Sequence, residues 1–220
     1  MAKSSPLAPK RIQTLPEIAG VRVAGGACGL KKKKVPDLFL AELDPGATIA
    51  GVFTLSKCFS APVAWCRQAL KGGRARAIVV NSGNANAFTG LAGDRTVENT
   101  VKRAARLFSC REKEVFIAST GVIGQPVPAN YIASKLAAMK KRLDPEGWRD
   151  AARAIMTTDT FVKMATRNVE IDGVAVTING FAKGAGMIAP DMATMLGFVF
   201  TDATIPSKVL QKLLTRASDR

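Results

Sequence analysis

The 220-residue sequence contains no histidine at all. That absence excludes Ser-His-Asp and Cys-His catalysis and most catalytic zinc sites. A nucleophile in this chain must be activated by a lysine, a carboxylate or a free α-amino group. Acidic residues are also scarce, 17 against 32 Lys and Arg, which gives a formal net charge of +15. Such a balance speaks about partners rather than fold: anionic metabolites or a nucleic acid. Aromatic residues make up only 6% of the chain. None interleaves with the basic clusters Lys31–Lys34 and Lys140–Arg142 as a base-stacking platform requires, so both clusters read as solvated loops or helix faces. No apolar run reaches the roughly 18–20 residues needed to span a bilayer. The basic stretch Met1–Lys10 lacks the apolar centre of a secretory signal, and reads as a frayed tail or a short transit segment.

Cysteine is sparse and unpatterned. Cys28, Cys58, Cys66 and Cys110 share no CxxC spacing, and reduced, mostly buried thiols of a cytoplasmic protein are expected. Nothing around Cys66 or Cys110 marks either as a nucleophile. What the chain does have is apolar content, 47% of its residues, enough for a sizeable core.

Along the chain, residues 1–16 read as tail and Val21–Gly29 as a small, Gly-rich stretch. Pro36–Leu43 and Ala47–Thr54 read as two strands around the Asp44-Pro45-Gly46 turn, hence as a hairpin. Residues 62–70 are helix-like. Arg76–Val80 reads as a buried strand running into a polar loop, Asn81–Ala87, before a helix over Leu91–Leu107. Glu114–Ala118 is a second buried strand, ending in Ser119-Thr120-Gly121-Val122-Ile123-Gly124. Helices are expected over Pro128–Lys141 and Pro145–Met156, and a hairpin over Met164–Phe181 around Asp172-Gly173. Beyond it come a loop over Lys183–Thr194, an apolar strand over Met195–Thr201, and a helix from Ile205 onward.

The chemistry concentrates at Ala193-Thr194, a small-residue junction between a Gly/Pro-rich loop and an apolar run. A threonine hydroxyl is a weak nucleophile, but an N-terminal threonine carries its own base, an α-amine with a pKa of about 7.7–8.0. An N-to-O acyl shift at Ala193-Thr194 followed by hydrolysis creates that amine. The flexible neighbours Gly184, Gly186 and Ala193 allow the distorted backbone which the attack needs.

Four segments together resemble the ornithine acetyltransferase, or glutamate N-acetyltransferase, family: Asn-Ser-Gly-Asn-Ala-Asn-Ala at 81–87, Ser-Thr-Gly-Val-Ile-Gly at 119–124, Met-Thr-Thr-Asp-Thr at 156–160, and Lys-Gly-Ala-Gly-Met-Ile-Ala-Pro-Asp-Met-Ala-Thr-Met-Leu at 183–196. Asp191 and Phe88 depart from the family's usual Asn and Cys. The resemblance implies that the chain cuts itself at Ala193-Thr194 and that Thr194 then carries acetyl from N-acetylornithine to glutamate, in arginine biosynthesis. It implies an oxyanion hole at Thr120 and Gly121, and substrate binding by Thr157, Lys183 and Thr194. Each has a plainer reading: Thr120-Gly121 as a turn, Thr157 as a hydroxyl satisfying a helix end with Thr158 or Asp159 as a cap, and Lys183 as a surface lysine.

The resemblance further implies a mixed α/β fold, a layered αββα sandwich of the self-processing N-terminal-nucleophile kind. Residues 17–193 correspond to an α segment and 194–220 to the start of a β segment, in an α2β2 heterotetramer with no resident cofactor. Acetyl-CoA enters as a possible second acetyl donor. The family's proteins extend well beyond residue 220, so a fragment inactive by itself is expected. Two other readings stay open: a self-processing amidase or aminopeptidase of the same architecture, and a basic nucleic-acid-binding module.

Overall fold

The computed structural model describes residues 5–31, 34–185 and 194–219. The first sheet contains β1 (Val21–Gly26), β2 (Leu38–Leu43), β3 (Ala77–Asn84) and β4 (Val115–Val122), in that spatial order. Strand β2 is apolar except for Glu42, which pairs with Arg22 and Arg76, because both of its faces are covered. Leu38 and Leu40 pack on one side with Val79, Val101 and Ile117, while Phe39, Ala41 and Leu43 pack on the other with Ile78, Val80 and Phe116. β1–β2 and β2–β3 are antiparallel, but β3 and β4 are parallel. Parallel neighbours need a crossover, supplied here by α2 (Gly90–Phe108), whose buried face is Val97, Val101, Ala104, Ala105 and Phe108.

Helices α2 and α3 (Tyr131–Lys140) cover one face of this sheet, and α1 (Ala61–Ala69) packs beside them against β4. The opposite face meets α4 (Trp148–Ile155) and a second sheet, formed by β5 (Lys163–Ile171), β6 (Val174–Lys183) and β7 (Leu196–Thr201). The expected Asp172-Gly173 hairpin is present, with φ of 51° and 77° at the two turn residues, as a tight right-twisting turn requires. The sheets meet through aromatic edges. Phe39 stands 5.2 Å from Phe181 and 5.4 Å from Phe198, ring centre to ring centre, and Trp148 stands 5.4 Å from Phe200. The class is mixed α/β, as the sequence implies.

Two expectations are corrected. Ala47–Thr54 is not a strand paired with β2, because both edges of β2 are occupied, by β1 and β3. It instead makes a single bridge, Thr48 to Arg74, and docks on the segment carrying α5 (Ser207–Ser218). Gln211 exchanges two 3.0 Å hydrogen bonds with the backbone of Gly51, and the Thr48 hydroxyl donates to the Ile205 carbonyl. The tail expected over 1–16 ends before Pro16: Leu15 is buried in the core, and Asn179 donates to the Pro16 carbonyl at 2.7 Å.

Candidate active site

The site forms where β3 and β4 end side by side. The stretch 81–87, expected as a loop, begins as strand: β3 runs on to Asn84, and β4 likewise continues through Ser119, Thr120 and Gly121. Their polar side chains point inward and satisfy one another. Ser119 Oγ donates to Asn81 Oδ1 at 2.6 Å, Asn81 Nδ2 to the Asn84 carbonyl at 2.8 Å, and Asn84 Nδ2 to the Gln125 carbonyl at 2.6 Å. Asn81, Ser82, Asn84 and Asn86 are all buried, which these bonds make tolerable together with those from Ser82 Oγ to the Ala154 carbonyl and from Asn86 Nδ2 to the Gly93 carbonyl.

Thr120 sits opposite Ser82 in the ladder and is 1% exposed, whereas Gly121 is exposed. Gly121 has a φ of 132°, and a Cβ there would lie 2.4 Å from the carbonyl carbon of Gly83. A side chain at 121 would keep the strand ends from coming this close, at the irregularity in register between Gly83 and Asn84.

Lys183 ends β6, and its ammonium is the meeting point. Nζ donates to Thr120 Oγ1 at 3.3 Å and to the backbone carbonyl of Thr194 at 3.4 Å. An ammonium carries donors and no lone pair, so Thr120 Oγ1 accepts here and keeps its own proton to give elsewhere. Burial holds the Lys183 pKa below the ordinary lysine range, with the charge of Lys163 acting in the same sense and Asp159 opposing.

Thr157 follows α4 and is half-buried. Its backbone N–H donates to Asp159 Oδ2 at 3.2 Å, and Asp159 Oδ1 accepts from Gly184 N at 2.8 Å. Sequence reasoning thus placed Thr120, Lys183 and Thr194, which the structure brings together, and Thr157, which is linked to them through Asp159. Ala193, and with it the Ala193–Thr194 junction, lies outside the described residues, as do Gly186 and Asp191.

Two residues were missed. Asp159 was weighed only as a helix cap, yet it lies beyond the end of α4 and ties two segments. Lys31 was grouped with a solvated lysine run, but its Nζ donates to the carbonyls of Pro36 at 2.9 Å and Met156 at 2.7 Å. Burial lowers its pKa also. Buried Asp37 seats it by accepting from the backbone N–H groups of Cys28, Gly29 and Lys31. Lys140, in the second basic cluster, likewise turns inward, donating to the Leu107 carbonyl at 2.5 Å. The signal in both cases was a lysine flanking apolar sequence, which a run of like charge conceals.

The two buried thiols, Cys66 and Cys28, are not poised for attack. Burial pushes Cys66 up to about 11, and its Sγ donates to the Ile117 carbonyl. Cys28 is pushed up to about 12, by burial and then by Asp37. Cys58 is exposed, unlike the other three. Among the described residues no helix is long and apolar enough to cross a membrane.

Comparison with known proteins adds the following. The ArgJ family model matches residues 22–220. The arginine biosynthesis bifunctional protein ArgJ of Bradyrhizobium diazoefficiens is 57% identical over 210 residues, covering 96% of this chain and 51% of the relative. This chain therefore spans about half the length of the curated relatives it matches. The crystal structure of ArgJ from Bacillus halodurans superposes with a TM-score of 0.72 at 32% identity, covering 81% of this chain and 92% of that one. Ornithine acetyltransferase from Mycobacterium tuberculosis, solved with ornithine, superposes with a TM-score of 0.68 at 34% identity, covering 81% and 94%. Both solved chains are thus shorter than this one.

Proposed function

The chain belongs to the ArgJ family, and from that premise we propose that it is the N-terminal part of a cytoplasmic acetyltransferase of arginine biosynthesis. This enzyme moves acetyl from N-acetylornithine to glutamate through Thr194. The observation that carries the reading is the Lys183 ammonium, within 3.3–3.4 Å of both Thr120 Oγ1 and the Thr194 backbone. It joins the proposed nucleophile to the proposed oxyanion donor without any histidine.

The first step is self-cleavage. Thr194 Oγ attacks the Ala193 carbonyl carbon, the C–N bond breaks, and an ester replaces the amide. Water hydrolyses the ester and leaves Thr194 with a free α-amine. Supporting this, the solved relatives match as chains shorter than this one, while the curated relatives are about twice as long. Residues 17–193 then form one segment and residues from 194 onward another, paired in an α2β2 assembly, and residues 1–220 by themselves are inactive.

In transfer, the Thr194 amine takes the hydroxyl proton as Oγ attacks the acetyl carbonyl of N-acetylornithine. The Thr120 hydroxyl and the Gly121 N–H face the developing oxyanion, each such donor being worth roughly 3–4 kcal/mol in the transition state. The proton passes to the leaving ornithine amine. The amine of glutamate then attacks the acetyl-threonine ester and frees Thr194. Lys183 and Thr157 hold the substrate, the ammonium matching a carboxylate. Acetyl-CoA enters as an alternative donor substrate, not a resident cofactor.

The test is made on the protein from its whole reading frame. Intact mass should give two pieces meeting at Ala193/Thr194, and N-acetylornithine plus glutamate should give ornithine and N-acetylglutamate. Thr194→Ala should abolish both. Persistence of either activity removes Thr194 from the mechanism, and release of acetyl to water alone points to an amidase instead.

A further inference from the structure

Asp159 has no part in the chemistry above, yet its side chain is fully buried, 0% exposed. A buried carboxylate is costly unless its lone pairs are met. Here they are met from three directions. Oδ1 accepts from Lys163 Nζ at 2.6 Å and from Gly184 N at 2.8 Å, and Oδ2 accepts from Thr157 N at 3.2 Å. These donors lie on β5, at the exit of β6 and behind α4. Gly184 is 25 residues away in sequence, so this is a tertiary tie and not a local turn.

We propose that Asp159 is the positioning residue of the site: it fixes the backbone at Gly184 to the backbone at Thr157, and thereby holds the adjacent Lys183 against Thr120 and Thr194. The inference rests on the acyl-transfer reading, and it names a residue through which that site is assembled. The tie is anchored from the far side too. Lys31 grips the Met156 carbonyl, one residue before Thr157, and is itself seated by Asp37. A continuous set of contacts therefore runs from the start of β2 through Lys31, Met156–Thr157 and Asp159 to Gly184, Lys183 and Thr120. The charged groups around the carboxylate are Lys163 from β5, Lys183 from β6 and Lys31 from the loop before β2. The negative charge of Asp159 opposes the effect of burial on Lys183.

Asp159→Asn keeps the shape but leaves one acceptor oxygen for three donors and turns an NH2 group toward one of them. In the whole-length protein, self-cleavage and kcat for transfer should each fall roughly 10- to 100-fold, the scale of a small misplacement of reacting groups. KM for glutamate should change less than kcat. The alkaline limb of the pH–rate profile should move to lower pH, because Lys183 loses its neighbouring anion. A merely structural role moves neither the limb nor the kcat–KM split. Lys163→Met is the second variant: it removes one of the three donors, a partly exposed ammonium, but leaves both backbone bonds, so its loss of rate should be clearly smaller than that of D159N.

The proposal is overturned if D159N cleaves and transfers like wild type, if its loss appears with an unmoved alkaline limb, or if K163M loses as much as D159N. Should D159N fail to fold, Asp159→Glu decides, since it keeps the charge but displaces the oxygens from Gly184 N and Thr157 N: a tenfold or greater loss of kcat upholds the backbone tie, and wild-type rates overturn it. Failure of the wild-type protein to cleave or transfer at all instead sinks the acyl-transfer reading, so the two failures are distinguishable.

Discussion

At the scale of single residues, the site depends on one backbone contact that admits no side chain. Gly121 and Gly83 approach so closely that a methyl group at 121 would overlap the Gly83 carbonyl carbon, at 2.4 Å. Gly121→Ala must therefore part the ends of β3 and β4 and strain a positive φ, at a cost of about 1–3 kcal/mol. Denaturant titration of the whole-length protein should show that loss, together with slower transfer, since the Gly121 N–H moves with the strand. Thr120 and Lys183 were legible only through the family resemblance that their motifs carry, and Thr194 also through its small-residue junction. The sequence hid Lys31 and Asp159 for opposite reasons. Lys31 opens a run of four lysines, a pattern that normally marks solvent, while Asp159 follows a helix and resembles a cap. Their roles arise from residues 125 and 25 positions away, which no local pattern encodes.

At the scale of elements, the apolar periodicity was a good guide wherever an element has two well-defined faces. The stripe Val97, Val101, Ala104, Ala105 marks α2, and the Asp172-Gly173 turn fixes the β5–β6 register. Periodicity failed where pairing is decided by competition. Ala47–Thr54 has strand character, but β2 has no free edge to offer it. β1, Val-Arg-Val-Ala-Gly-Gly, was not recognised because its glycines suggest a turn. Gly25 instead lets α4 approach, since a Cβ there would lie 1.9 Å from the Asp150 carbonyl oxygen, while Gly26 leaves room for the Met139 and Arg142 side chains. The extension of β3 into Asn81–Asn84 was concealed by polarity that the neighbouring strand and loops satisfy. The contacts between the two sheets also single out a core position to test. Phe39 is fully buried and edges onto Phe181 and Phe198 across the two sheets. Phe39→Ala should cost about 3–5 kcal/mol, read as a lower denaturation midpoint in the whole-length protein. A loss under about 1 kcal/mol would mean that the sheets are not held together there.

At the scale of the whole molecule, the acid limit of stability follows from the same buried carboxylate. Burial pushes the Asp159 pKa up, but the bonds from Lys163, Gly184 and Thr157 outweigh it, and the net value lies below that of an ordinary aspartate. A depressed folded-state pKa contributes stability that is present above about pH 4 and is lost as pH falls through the folded value. The wild-type protein should therefore lose stability below about pH 4 more steeply than D159N, and parallel acid curves for the two would contradict this. A last consequence concerns the ladder between β6 and β7, which pairs Ile178–Lys183 with Leu196–Thr201 on either side of the proposed cut. While the chain is whole, those strands meet by closing a short loop, at an effective concentration that dilution cannot change. Once the chain is severed, the same hydrogen bonds join two separate molecules. Unfolding then becomes a dissociation and refolding a second-order encounter, so the mature protein's recovery from denaturation should depend on its concentration while the precursor's should not. If the proposed cut is made, it would also erase the chain's means of rebuilding itself unaided, and the cut protein would be in a state reached once and kept by slow unfolding.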